Sequence, residues 1–288
     1  MTQTGIKEYL VTIRTNGTTR TGAPYAVLKC ANLTETINIS VWDLNPGDAP
    51  AIGQLVYFYN IKDNAGKKSC SSSEMKVGDM PLLDHPLYNV VPRPIRRDKW
   101  DDTIEKLVRY CSDAKLIPII RDFADKLFAP YSKYPAASGI HHAFPGGLLN
   151  HTYQMLHMLE GLYPCLPYPV KVERCILAIL FHDYGKVYEY NSMGETLEDM
   201  YLMGHIFIGA HKLNCVLEEK GVDAEEIKRI VHCVLAHHGT KEFGSPVFPC
   251  TQEATIVNIL DLLSARTDTM EGAGNMEMCG ALCTRVVK

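Results

Sequence analysis

Hydrophobic and polar positions change rhythm once along the chain. Over roughly the first eighty residues, β-branched and aromatic side chains come in short runs: KEYLVTIRT, PYAVLKCANL, TINISVWDL and LVYFYNIKD. Turn-forming stretches separate them, namely TNGTTRTGAP, NLTET, NPGDAPAIG and DNAGKKS. Short strands punctuated in this way predict a small all-β unit, with an OB-like barrel as the natural architecture. From Trp100 onward the apolar residues fall three and four apart, which is the helical period. The stretches that carry it are WDDTIEKLVRYCSDAKLIPIIRDFADKLFAP, GGLLNHTYQMLHML, VKVERCILAILFHD, GHIFIGAHKLNCVLEEKG, DAEEIKRIVHCVLAHHG and EATIVNILDLLSAR. Asp223 with Glu226 three residues on resembles a capping box, and Gly221 and Gly239 fall where helices should stop. The expected fold is therefore multidomain α and β. An N-terminal OB-like barrel spans 1–82, a proline- and arginine-rich connector 83–99, and an all-α helical bundle 100–288.

Composition fits this picture without refining it. The chain has 288 residues, 46% hydrophobic and 22% charged, enough for two domains with real cores. The start, MTQTGIKEYL, lacks a basic region followed by an apolar run, so no secretory signal is expected. No apolar stretch approaches membrane-spanning length, and a cytoplasmic protein without membrane partners is the expectation. Ten cysteines form no CxxC pair and several, Cys175, Cys215 and Cys233, sit in apolar helical patterns. They read as reduced, buried thiols.

Charge adds a mild asymmetry. Residues 1–99 carry 12 Lys+Arg against 9 Asp+Glu, whereas the whole chain is at −4. A surface that tracks phosphates is expected in the first third or the connector. Tyr25, Trp42, Tyr57, Phe58 and Tyr59 are candidates for a base-stacking platform, with Arg14, Arg20, Lys67 and Lys68 near loops. Since one face of every strand must be buried, most of these aromatics should belong to the barrel core. In the connector, Arg93, Arg96, Arg97 and Lys99 cluster. A charge run of this kind is usually a solvated face, although it could also meet phosphate.

The helical region delivers a recurring set of metal-ligating residue types. His151 lies within a predicted helix, His182 and Asp183 end the next, and His205 opens another. His237 and His238 close a fourth helix, and Asp261 sits inside a fifth. A bundle brings such positions together at its centre. Asp183 and Asp261 stand in otherwise apolar helices, where an uncompensated charge is costly, and a metal would account for both together with the histidines. Isolated histidines such as His157, His211 and His232 read as surface or structural residues.

The order H…HD…H…HH…D, with the second motif written HDYGK, resembles the HD-domain metal-dependent phosphohydrolases. The stretches AASGIHHAFPGGLLNHT, LFHDYGK, LMGHIFIGAHKL, AHHG, GSP and EATIVNILDLLSAR resemble one branch more closely, the YhaM-type 3′→5′ exoribonucleases. In that branch an N-terminal OB-fold precedes the HD domain, and TTRTGAPYAVLKCANLTETINISVWD is similar to it. The resemblance implies that His151, His182, Asp183 and Asp261 ligate one metal and that Asp183 bridges to a second. His205, His237 and His238 match the additional histidines of dinuclear members, and Lys186 matches a lysine that contacts phosphate. His141 and His142 are placed beside the site, as substrate-phosphate or supporting contacts. One departure is Ser264, where the family pattern has an aspartate; a second is a C-terminal stretch shorter than expected.

The implied activity is metal-dependent removal of nucleotides from the 3′ end of single-stranded RNA, with single-stranded DNA also open, releasing nucleoside 5′-monophosphates. Asp183 and Lys186 would be central to the chemistry, and Tyr25, Trp42, Lys67 and Lys68 would hold the strand. Two divalent ions would activate water and neutralise phosphoryl charge. Mixed imidazole and carboxylate ligands suit Mn²⁺, Fe²⁺, Co²⁺ or Zn²⁺, and the resemblance points to Mn²⁺. Two other activities share the same motif: hydrolysis of small nucleotides or cyclic dinucleotides, and oxygenation at a di-iron centre. The oligomeric state is left open, a homo-oligomer included.

Overall fold

The computed structural model describes residues 6–82, 84–88, 90, 92–137, 141–191, 194–273 and 275–288. Residues 1–5, three connector positions and residues 138–140 of the AASGIHH stretch lie outside the described residues. The chain divides into two units, Met1–Arg93 and Pro94–Lys288.

The first unit is a single curled sheet of seven strands. They are β1 (Lys7–Thr18), β2 (Pro24–Ala31), β3 (Thr36–Trp42), β4 (Leu55–Phe58), β5 (Lys62–Asn64), β6 (Lys67–Ser71) and β7 (Met75–Val77). Their spatial order is β5-β6-β3-β2-β1-β4-β7, with β3 and β6 parallel and every other pair antiparallel. The long β1 pairs with β2 on one side and β4 on the other, and a register shift between Val11 and Ile13 bends it. The outcome is an OB-like half-barrel whose edges are β5 and β7. Alternation sends Leu28 and Cys30 of β2, and Ile37, Ile39 and Val41 of β3, into the core with Tyr9, Val56 and Phe58. The run LVYFYNIKD divides into β4 and β5, so its periodicity conceals a turn.

The second unit is helical. Its helices are α1 (Arg97–Leu107), α2 (Ile117–Tyr131), α3 (Gly147–Leu162), α4 (Val172–Phe181), α5 (Lys186–Glu189), α6 (Asp199–Leu202), α7 (His205–Glu219), α8 (Ala224–Leu235) and α9 (Gln252–Gly272). The stretch from Trp100 to Pro130 is two helices, because CSDAK breaks the pattern between α1 and α2. The chain also enters α1 at Arg97, inside the segment expected to be connector. Asp223 caps α8 by accepting from the amides of Glu225 and Glu226. A short β8 (Met278–Cys279) and β9 (Thr284–Arg285) pair near the C-terminus.

Helix α4 is the axis of this unit. Every residue of VERCILAILF except Arg174 is buried, and α2, α3, α7, α8 and α9 all pack against it. A helix that is apolar all round must be enclosed in this way. Its polar exceptions are matched. Glu173 accepts from the Ser112 hydroxyl and the Asp113 amide, at 2.7 and 3.1 Å. Arg174 grips Glu226 of α8 through two bonds, 2.7 and 2.6 Å long, and reaches Glu253 of α9 at 3.3 Å. All ten cysteines are free; Cys175 and Cys233 are buried, whereas Cys215 is half-buried.

The Arg174 guanidinium holds the Glu226 carboxyl below the usual glutamate range, so the pair stabilises the fold at neutral pH and this contribution fades as pH falls through that lowered value. Glu226→Gln should cost about 1–2 kcal/mol through the weakened charge-assisted bonds. Thermal unfolding should show the deficit at pH 7, and the gap between variant and wild type should narrow below about pH 4.

Candidate metal centre

Four helix ends and one helix interior deliver the centre. His151 is in the second turn of α3, and His182 and Asp183 follow the last residue of α4. His205 is the first residue of α7, His237 and His238 lie just beyond α8, and Asp261 is midway along α9. Three glycines make the convergence possible. Gly147 opens α3 where a Cβ would fall 1.8 Å from the carbonyl oxygen of His142, and Gly146 before it has φ +84°. Gly185 of HDYGK faces α7 so closely that a Cβ would lie 2.4 Å from the His205 Cα.

Asp183 sits in the middle, 2% exposed. Its Oδ2 faces His182 Nε2 at 3.3 Å and His151 Nε2 at 3.7 Å. Its Oδ1 faces the other way, toward His205 Nε2 at 3.6 Å and His237 Nε2 at 3.9 Å. Asp261 Oδ1 closes the first side, 3.1 Å from His151 Nε2. Ligand atoms therefore gather on either side of Asp183, in the groups His151–His182–Asp261 and His205–His237–His238, each within 4.8 Å, and His141, His142 and His151 form a third such group. Lys186 places its ammonium 2.8 Å from Asp183 Oδ2. Burial by itself would raise the Asp183 pKa, but Lys186, His182 and His205 hold it well below the ordinary range.

The inward nitrogens are presented as lone pairs. The Nδ1 atoms of His182, His237 and His238 meet the carbonyls of Ile179, Val234 and Phe243 at 2.8, 2.6 and 2.7 Å. A carbonyl only accepts, so each of these nitrogens carries a proton, and in the neutral ring Nε2 is left bare; against the effect of burial, the neighbouring Asp183 raises the His182 pKa. His205 Nδ1 bonds Glu189 Oε1 at 3.1 Å. His151 Nδ1 bonds the Ser264 hydroxyl at 2.9 Å, which in turn donates to Gln154 Oε1 at 2.8 Å. The result is a set of acceptors turned on one another. His151 and His182 approach Nε2 to Nε2 at 3.1 Å. Asp183 Oδ1, His205 Nε2 and His237 Nε2 are buried with no hydrogen-bond partner among the described residues. Burial and the neighbouring His238 and His182 push the His237 pKa well down, so its proton does not relieve the crowding. A shared cation does, and the donor set suits a divalent one.

His141 and His142, expected beside the centre, each place their ring 5.3 Å from that of His151. Burial, with Lys186 and His151 nearby, pushes the His141 pKa down to about 3; burial with His151 and His141 pushes His142 to about 2. At neutral pH they offer neutral imidazoles, not cations. His142 adopts φ +45° and is held by its amide donating to Asp268 at 2.6 Å and its carbonyl accepting from Ala136 at 3.1 Å. Sequence reading did not find Glu189, Gln154 or Asp268. A buried glutamate one turn after HDYGK was the available signal for the first. The lone histidines stay outside the cluster: His157 bonds Glu160, His211 stacks on Phe207, and His232 accepts from the Cys250 amide.

In the first unit, Tyr25 and Trp42 are opposed across β2 and β3 with ring centroids 5.1 Å apart on the solvent face, Trp42 being 40% exposed. Lys29 lies on the same face, and was not anticipated. Lys67 is exposed in the β5–β6 hairpin, while Lys68 pairs with Asp63 at 2.9 Å. One expectation fails here, while the connector charges are the solvated run expected of them. Arg14 is buried, its guanidinium donating to the Ala49 carbonyl at 3.2 Å. The connector arginines are engaged within the chain: Arg93 with the Tyr88 carbonyl, Arg96 with Asp98, and Arg97 with Asp101 and Asp125.

Comparison with known proteins fits this geometry. Residues 148–266 match the HD domain, so the helical unit carries one. The chain as a whole is similar to the 3′-5′ exoribonuclease YhaM of Listeria innocua serovar 6a, 29% identical over 269 residues, which cover 91% of this chain and 85% of that protein. It is likewise similar to the 3′-5′ exoribonuclease YhaM of Bacillus subtilis strain 168, 28% identical over 274 residues, 92% of this chain and 85% of the relative. Similarity to the YhaM relatives, read first from the motifs, thus extends over nearly the whole chain. No solved structure matches it. Among the described residues, no helix is long and apolar enough to cross a membrane.

A divalent metal site on folded-state ligands must stabilise the fold. Mn²⁺ added to chelator-stripped protein should raise the unfolding temperature of the wild type by several degrees, and Asp183→Ala should abolish most of that rise.

Proposed function

We propose that the protein is a metal-dependent 3′→5′ exoribonuclease that shortens single-stranded RNA and releases nucleoside 5′-monophosphates. The observation that carries the reading is the pair of ligand groups on either side of the buried Asp183 carboxylate. One site would comprise His151, His182, Asp183 and Asp261, the other Asp183, His205, His237 and His238. Two divalent ions bound there, Mn²⁺ in our reading, would supply an activated water and neutralise charge on the phosphoryl oxygens. Fe²⁺, Co²⁺ and Zn²⁺ are compatible with the same ligands.

The chain's own groups account for the remainder. Lys186 is a buried point charge beside the centre, suited to a phosphate oxygen. His141 lines the cavity that leads to the centre and, being neutral, can donate a hydrogen bond without contributing charge. Fixed partners on five imidazoles keep the ligand geometry from rearranging during turnover. In hydrolysis, water oxygen adds to the terminal phosphodiester, the bond from phosphorus to the penultimate O3′ breaks, and that oxygen takes a proton. In the first unit, Tyr25 and Trp42 supply stacking surface and Lys29, Lys67 and Lys68 supply charge. That combination holds a strand without reading its sequence. The YhaM relatives support RNA as the substrate.

The test is purified protein with Mn²⁺ and 5′-labelled single-stranded RNA, beside a panel of small nucleotides and cyclic dinucleotides. The expected result is a ladder shortening from the 3′ end with nucleoside 5′-monophosphates as products, at least a thousandfold slower for Asp183→Ala, on the order of a lost catalytic group. Intact RNA beside hydrolysed small nucleotides would contradict it.

A further inference from the structure

A cavity of about 700 Å³ opens onto the metal centre from one side. Its lining combines two chemistries. Lys186, His141, His205 and His238 are buried or half-buried. Met200, Met203, Ile206, Phe207, Phe243 and Pro246 are apolar and half-buried or exposed. Several of these are exposed to a degree that costs free energy in water: Met203 and Phe207 are 51% exposed and Phe243 is 64% exposed. An apolar, aromatic surface contiguous with a polar, phosphate-directed centre has the layout of a nucleotide site, with base at one end and phosphate at the other.

The aromatic part is fixed relative to the metal ligands. The Phe243 carbonyl is the group that accepts from His238 Nδ1, at 2.7 Å, so the turn bearing this ring is tied to a ligand. Ser245 pins the same turn, its amide donating to the Thr240 carbonyl at 3.0 Å and its hydroxyl to the Leu235 carbonyl at 2.9 Å. Phe207 is two residues beyond His205 on α7, and its ring is stacked on His211 at 5.8 Å with an interplanar angle of 1°. Neither ring needs a rearrangement to meet a ligand. Of the polar residues on the wall, Glu189 is already committed to His205.

We propose that Phe207 and Phe243 form the stacking subsite for the base of the 3′-terminal nucleotide, holding it while its 5′-phosphate faces Lys186 and the metal centre. This deepens the exoribonuclease reading and rests on it. Because the rings offer stacking faces and no hydrogen-bond pattern, the subsite accepts all four bases. Stacking also registers the strand so that one nucleotide, and not two, lies beyond the scissile phosphate.

Direct binding separates this inference from the activity. Titration of Mn²⁺-loaded protein with AMP, and in parallel with ribose 5-phosphate, measures what the base adds. The wild type should bind AMP at least tenfold more tightly than ribose 5-phosphate. The double variant Phe207→Ala/Phe243→Ala should lose that preference while keeping its circular dichroism spectrum and unfolding temperature, since both rings are largely solvent-exposed. Phe243→Trp, which keeps a stacking face, should retain it. A preference undiminished in the double variant, or no preference in the wild type, overturns the subsite. A wild type that prefers AMP yet leaves RNA intact would count against the exoribonuclease reading alone.

Discussion

A carboxylate that is 2% exposed cannot persist in a protein interior without opposing charge, and Asp183 is such a group. Much else in the helical unit can be read as its consequence. Lys186 provides one cation, 2.8 Å away on the next turn. Imidazoles from α3, the end of α4, α7 and the turn after α8 provide the remaining contacts, and in the neutral ring the tautomer set by each outer partner turns a bare nitrogen inward. The residual demand is for positive charge between bare acceptors. That demand defines a metal centre more strictly than a list of histidines does.

Orientation of those imidazoles is where the fold contributes most. A free imidazole can present either nitrogen. Here the outer nitrogen of each is committed to a carbonyl, a hydroxyl or a carboxylate, so the inner one is fixed. Three of these partners are backbone carbonyls at the ends of helices, where unsatisfied acceptors are available by construction. Ser264 shows how a departure from the family pattern is accommodated. A hydroxyl accepts from His151 and donates to Gln154, doing with two neutral bonds what an aspartate would do with charge. The ligand stays oriented and the centre carries one negative charge less.

The two-unit architecture and the gathering of histidines and aspartates from separate helices were legible because both depend on period and order. The strand period marked the first unit, but that Tyr25 and Trp42 fall on the face opposite Leu28 and Ile39 came only with the folded register. Charged residues within apolar helical runs, Asp183 above all, pointed to the centre. What escaped was whatever depends on a partner distant in sequence. Arg14 looks available for phosphate in its own strand, but the Ala49 carbonyl beyond the hairpin takes it inward. Of the connector arginines, Arg97 also meets a distant partner, Asp125 of α2, whereas Asp98 and Asp101 are local to Arg96 and Arg97. Apart from the position of Glu189 just after HDYGK, these supporting residues carry no local mark: Glu189 and Asp268 act through His205 and His142 on other segments, and Gln154 acts through Ser264 of α9. The apolar wall containing Phe207 and Phe243 was hidden differently: a phenylalanine in a helical pattern reads as core, and only the folded chain leaves it exposed beside the ligands.

In the proposed function, Asp183 is shared between two cations. Anomalous X-ray diffraction from crystals loaded with Mn²⁺ tests this directly. Two anomalous peaks should flank the Asp183 carboxylate, about 3.5–4 Å apart, the spacing of two-metal phosphoryl-transfer centres. One should lie against His151, His182 and Asp261, the other against His205, His237 and His238. A single peak, or peaks that leave either oxygen of Asp183 without a metal neighbour, would contradict it.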